Sequence, residues 1–169
     1  DTGEQLWSSD GTAAGTRRAT ALRGVSTPCE PRFRAQHLAW VGGRLLFTVF
    51  QNGPKLWTTR GDWHSAAPLK ACPGGCPAVA DASFAPLGNR VVFASRETTP
   101  DGNTAMDPWI SDGTAAGTRR IRDLEPMWLR AFTAANGLVF FEEFHDYADD
   151  FLWVTDGTAG GTVRLGVGR

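Results

Sequence analysis

Three observations predict an all-β fold built of four-stranded blades, the β-propeller type. First, an eleven-residue motif recurs: residues 6–16 are LWSSDGTAAGT, 108–118 are PWISDGTAAGT and 152–162 are LWVTDGTAGGT. Second, each copy sits in the same frame of short apolar runs and Gly/Asn turn signals, repeating every 44–52 residues, about the length of one propeller blade. Third, the second strand of each frame is apolar without alternation, as in Leu45-Leu46-Phe47-Thr48-Val49-Phe50. Such a run needs cover on both faces. A lone meander with one wet face would alternate, whereas a blade between two neighbours would not.

The elements follow in chain order. The chain opens inside a blade, with third and fourth strands near 5–9 and 17–22, giving a half blade over 1–24. The first complete blade covers 37–72, with strands near 37–41, 44–51, 55–59 and 67–71. Its first turn is Gly42-Gly43. A degenerate fourth motif copy, Leu56-Trp57-Thr58-Thr59-Arg60-Gly61, closes its third strand. The second blade covers 82–124, with strands near 83–87, 90–96, 108–111 and 119–123 and a Gly88-Asn89 turn. The third covers 129–167, with strands near 130–134, 138–144, 151–155 and 162–166 and an Asn136-Gly137 turn. All belong to one repeat domain. The many Gly (20) and Pro (10) suit tight turns, and no 3.6-residue period supports helices.

The repeated motif has a physical reading. Asp10, Asp112 and Asp156 are expected to accept backbone N–H groups two residues on, closing an Asx-turn. Gly11, Gly113 and Gly157 supply a positive φ. The hydroxyls of Thr12, Thr114 and Thr158 satisfy further backbone groups, and the last Gly lets the chain re-enter the sheet. Trp7, Trp57, Trp109 and Trp153, spaced 50, 52 and 44 residues apart, are expected to pack between blades. A residue set that occurs once per blade is structural, because a catalytic site is usually single.

At this point the chain resembles the bacterial ELWxxDGT-repeat proteins. The residues that carry the resemblance are QLWSSDGTAAGT from Gln5, DPWISDGTAAGT from Asp107 and FLWVTDGTAGGT from Phe151. The resemblance covers most of the chain. It implies a propeller-like fold and a secreted or surface-exposed bacterial protein, and it implies no activity. The chain departs from the pattern at Arg60–Ser65, RGDWHS, where a looser turn is expected. The motif is also similar to the Asp-box of sialidases in turn geometry, which carries no inference about catalysis.

Other candidate sites are weaker. Cys72 and Cys76 flank Pro73-Gly74-Gly75 in an inter-blade loop. The spacing excludes haem attachment, and no His lies in the segment to support zinc. A Cys72–Cys76 disulfide is the preferred reading, consistent with an extracytoplasmic compartment, periplasmic, secreted or at the cell surface. Cys29 pairs with either of them, stays free or reaches another chain. The acidic run 142–150 offers Asp146, Asp149 and Asp150 as weak calcium candidates. It lacks the D-x-D-x-D-G spacing of a dedicated loop, and a solvated hairpin is the simpler account. No cofactor is expected.

His37, His64 and His145 are scattered and are taken as surface or turn residues. Arg17-Arg18 and Arg119-Arg120 are expected to cover sheet edges. The tripeptide Arg60-Gly61-Asp62 is a coincidence of the degenerate turn.

Charge and length bound the function. A net charge of −1 gives no electrostatic case for nucleic acid or an anionic membrane. No apolar run approaches the ~20 residues of a membrane span, so direct membrane insertion is not expected. The opening DTGEQLW lacks the basic and apolar regions of a secretion signal, so any such signal is expected to be already absent. Three and a half blades are fewer than the about 4–8 of closed propellers. Remaining blades of a longer chain, or another protein chain, are therefore expected to cover the open side.

The leading expectation is a non-catalytic module for protein interaction or structural support within a larger assembly. The rival readings are a propeller-type glycoside hydrolase or lyase, and a lectin-like module that binds carbohydrate or calcium. A hydrolase would need carboxylates facing each other about 5–10 Å apart in an open pocket.

Overall fold

The computed structural model describes residues 5–20, 35–50, 54–62, 64–69, 78–79, 84–98, 104–124, 128–145 and 150–167. These form an all-β structure in which every strand pairing is antiparallel. Among the described residues no helix is long and apolar enough to cross a membrane.

A two-stranded hairpin comes first, β1 (Trp7–Ser8) with β2 (Arg17–Arg18). The first meander is β3 (Ala35–Val41), β4 (Arg44–Phe50), β5 (Pro54–Thr59) and β6 (Ala67–Pro68). A two-residue strand β7 (Ala78–Val79) follows. The second meander is β8 (Ala85–Leu87), β9 (Arg90–Thr98), β10 (Thr104–Ser111) and β11 (Arg119–Arg120). The third is β12 (Trp128–Ala135), β13 (Leu138–Phe144), β14 (Phe151–Thr155) and β15 (Val163–Val167).

Two features differ from the sequence expectation. The segment before the second meander was expected to be loop throughout. Instead β7 pairs with Lys55 on one side and with Arg96 and Ser95 on the other. It thereby joins the first two meanders into one nine-stranded network. The fourth strands are also shorter than expected, with two-residue ladders in β2, β6 and β11. One more backbone bond extends each: Ala19 N–H to Leu6 O, Leu69 N–H to Leu56 O and Ile121 N–H to Pro108 O, each 2.8 Å. Beyond that point side chains take over. The Leu124 N–H donates to the buried Asp107 carboxylate at 2.8 Å rather than to a strand.

The first hairpin of each meander is a two-residue turn. In Gly42-Gly43 and Asn136-Gly137 both residues have positive φ, the pattern of a type I′ turn that matches strand twist. The first strands of the first and third meanders also carry a bulge at the same repeat position. The register shifts between Gln36 and Ala39 and between Arg130 and Thr133. Inside the shifts, His37 (φ 50°) and Ala131 (φ 57°) adopt left-handed backbone, a strained state for a residue with a Cβ.

The core lies between successive meanders. Val41, Leu46, Leu56 and Leu69 of the first cluster with Val91, Phe93 and Trp109 of the second. Leu87, Val92, Ile110 and Ile121 of the second cluster with Val139, Phe141 and Trp153 of the third. Each meander thus offers one face forward and one face back, and the same repeat positions serve each time except that Ile110 stands where the first meander has Thr58. The hairpin adds Leu6 to the back face of the first meander, against Phe47 and Val49. Burial along the second strands follows from this. In the middle meander Val91, Val92, Phe93, Ala94 and Ser95 are all buried. In the third, β13 alternates, because only its back face is covered.

Candidate functional site

The repeated Asp-Gly-Thr turns are the most regular polar constructions in the chain. In the second meander, Asp112 Oδ1 accepts the Thr114 N–H at 2.8 Å and the Thr114 hydroxyl at 2.7 Å. With its proton so used, Thr114 Oγ1 accepts the Gly117 N–H at 3.0 Å. The Thr118 hydroxyl donates to Thr114 O at 2.6 Å. Ser111 Oγ accepts the Gly113 N–H at 3.0 Å and bonds Thr118 Oγ1 at 2.6 Å. The same six-residue network recurs through Ser9, Asp10, Gly11, Thr12, Gly15 and Thr16, and through Thr155, Asp156, Gly157, Thr158, Gly161 and Thr162.

The positive φ values are 91° at Gly11, 85° at Gly113 and 88° at Gly157. The last glycine has a different role from the one expected. A Cβ at Gly15, Gly117 or Gly161 would fall inside the carboxylate of Asp10, Asp112 or Asp156. The glycine is the seat of the carboxylate.

These bonds hold the carboxylates ionised. The Thr12 N–H and then the Thr12 hydroxyl lower the Asp10 pKa from its ordinary value. At Asp156 the Thr158 hydroxyl leads and its N–H follows. At Asp112 burial raises the pKa, but the Thr114 hydroxyl and N–H outweigh it and the net shift is down. A carboxylate that accepts several hydrogen bonds is a fixed turn brace rather than a proton donor.

The degenerate copy at Arg60–Ser65 keeps part of the bracing of the regular copies. Thr59 Oγ1 accepts the Gly61 N–H at 3.1 Å, as Ser111 does for Gly113. Asp62 stands where Thr12 stands in the first copy. Its carboxylate accepts the Ser65 N–H at 2.9 Å and the Ser65 hydroxyl at 2.7 Å. The acid has moved two positions along the motif, and the Thr59–Ser65 hydroxyl bond spans one residue fewer than Ser111–Thr118, in a hairpin of the same length. The Asp62 pKa is lowered, first by the Ser65 hydroxyl. The carboxylate of the Arg60-Gly61-Asp62 tripeptide is therefore engaged within its own turn.

The turns also touch the preceding meander. A Cβ at Gly113 would meet Arg44 and Val41, and one at Gly157 would meet Ile110 and Leu87. Arg119 Nη2 donates to Gly157 O at 3.4 Å, and Arg122 Nη1 donates to Thr162 O at 2.7 Å. Arg120 binds the buried Asp107 at 3.0 Å and Asp123 at 3.2 Å. Burial raises the Asp107 pKa, an effect that the Leu124 N–H and Arg120 only partly offset. Arg119 and Arg120 form the exposed edge strand β11, as expected, and in addition tie strands and meanders together.

The tryptophans divide. Trp109 and Trp153 are buried between meanders, as expected. Trp153 Nε1 donates to Glu143 Oε2 at 2.6 Å, and the other oxygen of this buried carboxylate bonds His145 Nε2 at 2.6 Å. Trp57 is half-buried against Phe47. Trp7 departs from the expectation and is 65% exposed. It lines an open groove of about 520 Å³ with Arg17, Arg18, Asp62 and His64. Neither His37 nor His145 is a free surface imidazole, since His37 Nδ1 bonds Thr48 Oγ1 at 3.0 Å.

Of the calcium candidates, Asp146 and Asp149 lie outside the described residues, as do Cys29, Cys72 and Cys76. Asp150 binds Arg130 at 3.2 Å and accepts the His145 N–H at 3.3 Å. Among the described residues no group of three or more His, Cys, Asp or Glu side chains is arranged to hold a metal ion. Sequence reasoning missed the Glu143–Trp153 bond; its only signal was an acidic residue inside an apolar strand. In comparisons with known proteins, no family model and no curated protein matches the chain.

Proposed function

We propose that the chain is a non-catalytic β-propeller module, placed outside the cytoplasm, that acts as a structural or protein-interaction subunit of a larger assembly. One repeat position carries this reading. Leu69 (3% exposed) and Ile121 (4%) are covered by the meander that follows them, whereas their counterpart Leu165 is 51% exposed. The same holds for Leu56 (0%) and its counterpart Leu152 (44%). Apolar residues kept at an interface position but left in water mark a surface made to be covered. On this reading the meanders are blades, and the chain is a member of the ELWxxDGT-repeat proteins that its motifs resemble.

The non-catalytic part of the reading is supported by the use of the repeated polar groups. The Asp, Thr and Ser side chains of each motif bond one another and their own backbone. Placement outside the cytoplasm rests on the Cys72–Cys76 bridge expected from the sequence and on the family resemblance.

The test is affinity purification from the native source with wild-type chain and a Leu152→Asp variant. A protein retained by the wild type and lost from the variant is the expected result. Release of sugar from a glycan panel by the purified chain would contradict the reading in favour of a glycosidase.

A further inference from the structure

The inference concerns what covers the exposed face, and it rests on the interaction-module reading above. Between the first and second meanders, Trp109 packs in one cluster with Leu56 and Leu69. The indole comes from the back face of the following meander, and the two leucines from the forward face of the preceding one. The third meander keeps the receiving half of this contact. Leu152 and Leu165 occupy the positions of Leu56 and Leu69, and both are exposed. Val163, one residue past Thr162, adds a further exposed apolar side chain beside them.

The inserting half is also present and also uncovered. Trp7 occupies the position of Trp109 in the N-terminal hairpin. The ladders match residue for residue: Trp7 pairs with Arg18 as Trp109 pairs with Arg120. Its neighbour Leu6 packs on the first meander. Side chains alternate along a strand, so Trp7 is on the face opposite Leu6, where it is 65% exposed and borders the open groove it shares with Asp62 and His64 of the first meander's turn. Two halves of one contact, used inside the chain, thus stand exposed at its two ends. Trp7, the most exposed of three exposed tryptophans among the described residues, has the repeat position of an insert, and Leu152 and Leu165 have that of its socket.

We infer that the forward face of the third meander, at Leu152 and Leu165, receives Trp7 of a second copy of this chain. The contact is head-to-tail, made by different surfaces on the two partners, and it repeats the internal contact of Trp109 with Leu56 and Leu69. A head-to-tail contact of this kind generates a ring when the rotation closes and an open file of copies when it does not. Turn chemistry would extend the match. Within the chain, the turn following the inserted tryptophan sits against the preceding meander, as Gly113 sits near Val41 and Arg44. Gly11 of the incoming hairpin has the same place in its turn and nothing within 4 Å of a built Cβ.

The experiment is sedimentation of the purified full chain over a range of micromolar concentrations, with the variants Trp7→Asp, Leu165→Asp and Leu152→Asp. Each replaces an exposed side chain, and circular dichroism confirms that each keeps the wild-type β signal. The wild type is expected to exceed its 18.2 kDa chain mass increasingly with concentration. Each variant alone is expected to stay monomeric. An equimolar mixture of Trp7→Asp and Leu165→Asp is expected to form a dimer that goes no further. In that pair one copy retains the socket and the other retains the insert, which only a head-to-tail contact allows. A wild type that stays monomeric throughout overturns the inference, without bearing on whether another protein is captured from the native source. Association that Leu165→Asp abolishes and Trp7→Asp does not also overturns it, because the socket would then take a different insert.

Discussion

Arg122 Nη1 donates to the carbonyl oxygen of Thr162 at 2.7 Å, while its guanidinium lies 5.9 Å from the ring centre of Trp153. One side chain of the second meander thus grips both the motif turn and the buried tryptophan of the third. Arg119 makes a longer bond, 3.4 Å, to Gly157 of the same turn. Arg122→Ala is therefore expected to cost about 1 kcal/mol, and Arg119→Ala distinctly less. Urea unfolding of the two variants checks the order; equal costs would show that the arginine contacts do not hold the third meander in place.

Asp112 and Gly117 form the second testable pair. Asp112→Ala removes two hydrogen bonds from a part-buried turn and is expected to cost about 1–2 kcal/mol. Gly117→Ala places a methyl group where the carboxylate sits and is expected to cost at least as much. In the double variant the clash is gone, so the combined cost should fall well below the sum. A double-mutant cycle by denaturant unfolding measures this coupling. Strict additivity would mean that the carboxylate does not occupy the glycine seat.

The turn aspartates also set an acid limb. Asp10, Asp112 and Asp156 have folded pKa values below their ordinary ones. Their stabilisation is thus fully present above the usual carboxylate range and is lost as pH falls through the lowered folded values. Asp107 has the opposite sign: its pKa is raised by burial, so its ionised form costs stability as pH rises through that value. Thermal unfolding from neutral pH into acid should show melting temperature falling below the usual carboxylate range. The fall should be shallower in Asp156→Asn. An Asp156→Asn profile that parallels the wild type would remove the turn aspartates from the explanation.

The bulge in β12 gives a stabilising prediction. Ala131 has a φ of 57°, where only glycine is unstrained. Ala131→Gly is expected to raise stability by up to about 1 kcal/mol, the relief outweighing the added freedom of the unfolded chain. A loss of stability in thermal or urea unfolding would show that the left-handed conformation at this bulge is not strained.

Much of this architecture was legible because a repeat states its own register. The spacing of Trp7, Trp57, Trp109 and Trp153, with the Gly and Asn turns, located the third and second strands of each meander. The regular alternation of β13 was not foreseen. Leu138-Val139-Phe140-Phe141 is apolar like its counterparts, yet among the described residues only its back face is packed against another meander, so its burial alternates. The bridging strand β7 was missed because Ala78-Val79 is too short to carry a period of its own. The engaged Asp62 was missed because the acid had shifted by two positions, so the copy resembled a broken motif. Repeat logic also misplaced Trp7. The same residue type sits at the same position, but among the described residues no meander covers its back face.

The central claim is that the forward face of the third meander is an interface without its cover. Hydroxyl-radical footprinting of the full chain, read by mass spectrometry at low and at high protein concentration, tests it most directly. In dilute solution Leu152 and Leu165 should be oxidised far faster than their counterparts Leu56 and Leu69. On concentration, Leu152, Leu165 and Trp7 should become protected together. If Leu152 and Leu165 are as slow as Leu56 and Leu69 at every dilution, the face is already covered within the chain and the account is contradicted.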